Sequence, residues 1–303
     1  MTHAKTKTET CPHCRGTHYR LANAQGMLNA SVCECFRCER CNGDGRVYFL
    51  DEKGFSYVRD CQCADFKKRL QLLNRAGIPG KFLNVSFETY FTNPPHHETQ
   101  KTAKSRAIDF VKDFGAAGKT NFGLVFMGDA GTGKTHLAVS VIKALTLEKG
   151  VECKFVDFFQ LLSDIRHGYS QDKSEQALIN PYVRARVLVI DELAKGRNTE
   201  WELTVLDQII SSRYNGGDKV TLFTTNFKCE STSRDPKKGG EMKMLDLESQ
   251  SYADLLARQT LPEKIGPRIY SRLAEMCNFI EIKGEDQRQV RLKPSQQFPR
   301  PKK

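Results

Sequence analysis

The residues best suited to chemistry are Gly128-Asp129-Ala130-Gly131-Thr132-Gly133-Lys134-Thr135, in the pattern G-x-x-x-x-G-K-T. Glycines let the backbone curl so that several N–H groups converge on one polyphosphate. Lys134 supplies a point charge for the β- and γ-phosphates, and Thr135 offers a hydroxyl to Mg²⁺. A second group, Asp191-Glu192, ends the apolar run Val187-Leu188-Val189-Ile190. Asp191 suits the Mg²⁺ shell, and Glu192 suits a general base that polarises an attacking water. Together the two groups imply that ATP is bound with Mg²⁺ and hydrolysed to ADP and phosphate.

A third group is made of cysteine. The chain has 11 cysteines, and the pairs Cys11/Cys14, Cys33/Cys35, Cys38/Cys41 and Cys61/Cys63 crowd its first 63 residues. A C-x-x-C followed by a C-x-C occurs twice in the same order. In a reducing compartment such pairs hold metal more often than disulfides. The preferred grouping sets Cys11, Cys14, Cys33 and Cys35 on one Zn²⁺ and Cys38, Cys41, Cys61 and Cys63 on another. An interleaved grouping is not excluded by the spacing. Four thiolates with no open position imply two structural zinc sites, which would supply the folding energy of a polar segment. Arg37, Arg40, Arg46, Phe36, Tyr48, Phe49, Phe55 and Tyr57 are candidate contacts to single-stranded DNA or a partner protein, or padding for small metal sites.

Elements must position these groups. Apolar runs predict strands near 123–127, 153–156, 187–190, 220–225 and 278–283. A helix is expected from about Lys134 to Lys149, with its positive dipole end aimed at the anion. A short helix is expected over 64–76 and another from Thr99 to Phe114. The alternation implies an α/β fold, a P-loop NTPase parallel sheet covered by helices on both faces, with a small N-terminal zinc-binding domain. Asn226, after the fourth strand, is expected between the phosphate loop and the carboxylates, where it can orient water against the γ-phosphate.

The expected organisation is a cysteine-rich module at 1–63, helix and linker at 64–97, an ATPase domain at 98–285, and a basic flexible tail at 286–303. The polar stretch 228–262 is expected to be a mobile insertion. A net charge of +11 favours a nucleic-acid partner. No apolar run approaches the roughly 18 residues of a membrane span, and a cytoplasmic protein is expected.

Several segments carry a resemblance. They are Ala76-Gly77-Ile78-Pro79, Ser86-Phe87-Glu88-Thr89-Tyr90, the phosphate loop, Val189 to Leu193, Leu206 to Tyr214, Thr224-Thr225-Asn226 and Arg268-Ile269-Tyr270-Ser271-Arg272-Leu273. Their order and spacing resemble the DnaC/DnaI/IstB branch of AAA+ ATPases over roughly residues 70–285. Cys14-Arg15-Gly16-Thr17 and Cys41-Asn42-Gly43-Asp44-Gly45 partly resemble the repeats of the DnaJ-type zinc domain, from which the C-x-C pairs depart.

The AAA+ resemblance implies Asn226 as sensor and an arginine finger acting across a subunit boundary in an oligomer, with Arg272 first and Arg268 second. It also implies that the helical lid of most AAA+ proteins is missing, since little chain follows Arg272. The function it implies is a helicase loader that engages single-stranded DNA and a replicative DNA helicase. The alternatives are an IstB-like transposition helper ATPase and a nucleotide-gated zinc adaptor. The intact Asp191-Glu192 pair argues against the adaptor. Arg184, Arg186, Lys195 and Arg197 are candidate DNA contacts near the second motif.

Overall fold

The structure is a computed structural model, and it describes residues 11–92, 96–118, 121–229 and 259–290. Continuous apolar runs make strands that are buried on both faces. Strand β5 (Gly123–Met127), β7 (Val187–Asp191) and β8 (Val220–Thr225) are buried at every position. With β6 (Cys153–Asp157) and β9 (Cys277–Glu281) they form one parallel sheet in the order β6-β7-β8-β5-β9. The order places β8 between the strand that feeds the phosphate loop and the strand that ends in Asp191. This is the topology that lets one residue after β8 face both.

Alternate strand residues point to opposite faces. Leu124, Phe126, Val189 and Leu222 pack with α1 (Gln62–Arg75), α2 (His97–Asp113) and α3 (Lys134–Lys149). Val125, Leu188, Ile190 and Phe223 pack on the other side. That side holds α4 (Phe158–Tyr169), α5 (Glu175–Arg184), α6 (Glu200–Asn215), α7 (Leu261–Ile265) and α8 (Pro267–Met276). A last short helix, α9, spans Gln287–Val290. Arg213, from the quoted Leu206 to Tyr214 segment, is 1% exposed. It donates to the carbonyls of Tyr182, Ala185 and Val220 and to Thr221 Oγ1, tying α5 and α6 to β8. Its role is structural.

The N-terminal region is a tandem repeat. Strands β1 (Tyr19–Ala24) and β2 (Met27–Val32) form one antiparallel hairpin, and β3 (Arg46–Leu50) and β4 (Ser56–Asp60) form the second. A C-x-x-C turn precedes each hairpin and a C-x-C follows it. The two copies have different surroundings. Leu28 and Ala30 of the first share a hydrophobic cluster with Leu70, Leu73 and Leu145 of the ATPase core. Asn74 of α1 clasps the free edge of β2, accepting from Ala30 N at 2.6 Å and donating to Ala30 O at 2.9 Å. Alignment on the cysteines places Leu21, Leu28 and Ala30 opposite Tyr48, Ser56 and Val58. Tyr48 and Val58 are 65% and 47% exposed, and neighbouring Leu50 is 73% exposed. The first hairpin is therefore part of the core, although it lies within the 1–63 module expected from sequence, while the second presents the equivalent face to solvent.

Most of the 228–262 stretch lies outside the described residues. Its ends meet: Leu261 N donates to Lys228 O at 2.7 Å, and Leu261 is buried at the start of α7. Of the tail at 286–303, residues 286–290 are described, and they do not stand apart from the fold. Gln287 N donates to Gly131 O at 3.1 Å, so the chain after β9 crosses the phosphate loop. No described helix is long and apolar enough to cross a membrane.

Candidate functional site

The phosphate loop leaves β5 at Gly128 and enters α3 at Lys134. Its backbone is crowded by the chain returning from β9. A Cβ at Gly128 would lie 2.1 Å from Ile282 O, and one at Gly131 would lie 2.0 Å from Asp286 Oδ1. Both positions have positive φ, so only glycine satisfies space and torsion together. Asp129 and Ala130 form the bend between them, and Thr132 Oγ1 closes it on Asp129 O at 2.9 Å. Gly133, at φ 94°, caps the N-terminus of α3. Tyr90, from the quoted Ser86 to Tyr90 segment, backs the loop by donating to Thr132 O at 3.3 Å.

Lys134 Nζ donates to Gly128 O at 2.8 Å and Asp129 O at 2.7 Å. Burial pulls its pKa from 10.5 to about 8, against the pull of Asp129 and Asp191. Thr135 Oγ1 donates to Asp191 Oδ1 at 2.7 Å, and Thr224 Oγ1 donates to the same oxygen at 2.5 Å. Burial raises the Asp191 pKa, and these two hydroxyls oppose the rise. Glu192 follows with φ 55°, a left-handed conformation uncommon outside glycine. Its N–H donates to Thr224 Oγ1 at 2.9 Å, and its carboxylate pairs with Lys195. Asn226 completes one wall.

These groups line one cleft of about 450 Å³ with Gly131, Gly133, Lys134, Thr135, Asp191, Glu192 and Asn226. Lys81, Phe82 and Val85 line it as well, followed by Asp157, Thr224, Gln287 and Arg288. Arg268 and Arg272 are not among the lining residues. Both lie on α8 and pair with Asp207 of α6, at 3.5 Å and 2.8 Å. The carboxylate that holds them is neither Glu263 nor Glu275, the acids nearest in sequence. Of the candidate DNA contacts, Arg186 pairs with Asp218 and Lys195 with Glu192.

The donor set suits a hard cation. A hydroxyl and a carboxylate oxygen 2.7 Å apart, beside a phosphate-binding loop, match the way Mg²⁺ is shared between protein and substrate phosphates. The cysteines gather into the two groups preferred from sequence, Cys11/Cys14/Cys33/Cys35 and Cys38/Cys41/Cys61/Cys63, with sulfurs within 4.8 Å of one another. The interleaved grouping is thereby set aside. The sulfur separations of 3.9 and 3.3 Å in the first group and 3.5 and 3.2 Å in the second are far beyond a disulfide bond. They approach the edge of about 3.8 Å of a tetrahedron with bonds of about 2.3 Å to zinc. Gly45 N–H donates to Cys41 Sγ at 3.2 Å, a contact that stabilises thiolate character.

Thr224 is a site residue that the sequence reading passed over while taking its neighbour Asn226. Its position at the end of β8, opposite Asp191, was the available signal. Arg288 gave no signal, because the segment after β9 has neither periodicity nor motif.

Residues 61–234 match the family described as IstB-like ATP binding protein. The chain belongs to that family. This IstB-like protein is 28% identical over 168 residues to the replicative helicase loader DnaC of Escherichia coli strain K12, a match covering 55% of this chain and 65% of DnaC. It is 26% identical over 165 residues to the uncharacterized protein YqaM of Bacillus subtilis strain 168, covering 52% of this chain and 51% of YqaM. The matches thus span about half to two thirds of these relatives. A crystal structure of the DnaC helicase loader superposes with a TM-score of 0.51 and 27% identity, covering 67% of this chain and 99% of that one. The fold is that of a P-loop AAA+ domain, and ATP binding is expected of the family.

Proposed function

We propose that this IstB-like protein is an ATP-dependent DNA replication protein that loads a replicative helicase. The observation that carries the reading is the single cleft holding Lys134, Thr135, Asp191, Glu192 and Asn226. It sits in a fold that spans 99% of a DnaC helicase loader structure. The glycine loop and Lys134 hold the triphosphate. Thr135 and Asp191 would hold Mg²⁺, which would supply charge neutralisation to the phosphates. Glu192 accepts a proton from the attacking water, and Asn226 orients that water.

The pairing of Arg272 with Asp207 outside the chain's own cleft supports a finger that acts on a neighbour's nucleotide. Arg268 is the alternate. Head-to-tail contacts of this kind build an oligomer, and they need not close. Two Zn²⁺ ions on the eight paired cysteines brace the N-terminal hairpins. The outer hairpin offers Tyr48, Leu50 and Val58 to the helicase, the face by which its duplicate rests on α1.

Co-purification with the host's hexameric helicase tests this. Deleting residues 1–63 would also strip Leu28 and Ala30 from the core, so the variant is Tyr48→Ser/Leu50→Ser/Val58→Ser in the intact chain. Its capture should fall at least tenfold. Undiminished capture would remove the role given to that hairpin. The family match favours a second reading, an IstB-like transposition helper. ATP turnover stimulated by duplex but not single-stranded DNA would favour it.

A further inference from the structure

The cleft is lined by groups of two chemical kinds. One kind is the phosphate loop with its carboxylates. The other includes the apolar side chains of Phe82 and Val85, suited to a planar heterocycle. Taken with the reading of the cleft as a nucleotide site, Phe82 and Val85 are the place for the base. The segment that supplies them is short and has no sheet partner in the ATPase core among the described residues, so its position depends on what grips it.

One grip comes from α3. Lys143 Nζ donates to Leu83 O at 3.0 Å and Val85 O at 2.6 Å. The other comes from the first hairpin. Leu28 N donates to Ile78 O at 2.8 Å, and Gly80 N donates to Gly26 O at 2.7 Å. Met27 and Pro79 form an antiparallel bridge between them. Residues 78–80 are in effect a third strand laid along the hairpin turn. The fit is close, since a Cβ on Gly80 would lie 2.3 Å from Asn23 Cγ. Phe82 follows within two residues and is steadied by an edge contact with Phe155 at 6.1 Å.

The far end of the same hairpin is closed by Cys11, Cys14, Cys33 and Cys35. A two-stranded ribbon is marginal unless something holds its strands together. We propose that the β1–β2 hairpin, clamped by the first cysteine group, positions the base-contacting segment Lys81–Val85 and so sets affinity for the nucleoside part of the nucleotide. The phosphate loop, built on β5 and α3, does not depend on it. The second cysteine group has no such contact among the described residues.

Calorimetric titration of the full chain with Mg-ATP and with Mg-tripolyphosphate separates the two kinds of contact. In Cys11→Ser/Cys14→Ser, ATP affinity should fall about tenfold while tripolyphosphate affinity changes less than twofold. In Cys38→Ser/Cys41→Ser, both should change less than twofold. Gly80→Leu keeps every cysteine and collides with Asn23, and it should reproduce the selective loss. Amide exchange over residues 80–85 should quicken in the first and third variants only. Equal loss of both ligands, or no loss of ATP affinity, in Gly80→Leu and Cys11→Ser/Cys14→Ser would overturn the proposal and leave the nucleotide site standing. Failure of the unmodified chain to bind either ligand would overturn the site reading and this proposal together.

Discussion

Arg272 Nη1 lies 2.8 Å from Asp207 Oδ1, both side chains are 24% exposed, and neither residue lines the nucleotide cleft of its own chain. The finger role proposed for Arg272 places its guanidinium on a phosphoryl group of another copy. Arg272→Ala should therefore bind ATP normally and lose turnover by about 10³-fold or more. Glu192→Gln should also bind ATP and lose about 10²–10⁴-fold. Mixing the two inactive variants should restore part of the activity, because some junctions then join an intact Glu192 to an intact Arg272. A steady-state phosphate-release assay on the mixture decides it, and no recovery would place the finger elsewhere.

Lys134 gives the cleft a pH signature. Its pKa of about 8 lies below the ordinary 10.5, so the empty cleft loses this charge as pH rises through about 8. A bound triphosphate favours the charged form and must draw a proton back. ATP affinity should hold level below that point and weaken above it. Binding at about pH 9 should consume a proton, seen as a dependence of calorimetric heat on the buffer's ionisation enthalpy. The same depression makes Lys134 mildly destabilising to the empty protein below about pH 8, a penalty relieved as pH climbs towards 10.5.

Arg288 reaches the cleft from α9, with a side chain 76% exposed and 3.6 Å from Asp286. It is a cation of the same chain available to the phosphates. Arg288→Ala should weaken ATP binding about 3- to 10-fold, since an exposed guanidinium on a phosphate contributes about 1 kcal/mol. Gly131→Ala should do more, because its Cβ meets Asp286 and its φ of 78° is strained for alanine. Fluorescent-nucleotide titration measures both.

The two hairpins should respond unequally to the same kind of truncation. Leu28 is 2% exposed in the core, and Leu28→Ala should cost about 2–5 kcal/mol in denaturant unfolding. Leu50 is 73% exposed, and Leu50→Ala should stay within about 0.5 kcal/mol.

Metal analysis of the purified chain should return about two zinc ions, one for each closed set of four thiolates. Removing both with a chelator should melt the N-terminal hairpins. A content near zero in freshly purified, folded protein would show that the cysteines act without zinc.

The parallel sheet could be read from sequence because its strands are unbroken apolar runs, as in Leu124 to Met127 and Val187 to Ile190. The phosphate loop and Asp191-Glu192 were readable because their chemistry tolerates few residue types. What stayed hidden depended on contacts distant in sequence. Nothing near Leu28 announces that it joins Leu73 and Leu145 rather than a separate module. The hold of Thr224 on Asp191 depends on strand order, which no local pattern encodes. The crossing of Asp286 to Arg288 over the phosphate loop follows from β9 being paired beside β5.

Only Phe36 and Arg37 separate the last cysteine of the first group from the first of the second. The Phe36 ring lies tilted against Phe66 of α1 at 5.0 Å, and Lys67 of α1 donates to Gly43 O at 2.5 Å. The outer ribbon is thus jointed to the body at closely spaced points instead of hanging from a slack tether. A force applied at Tyr48 or Leu50 would reach the rest of the molecule through α1.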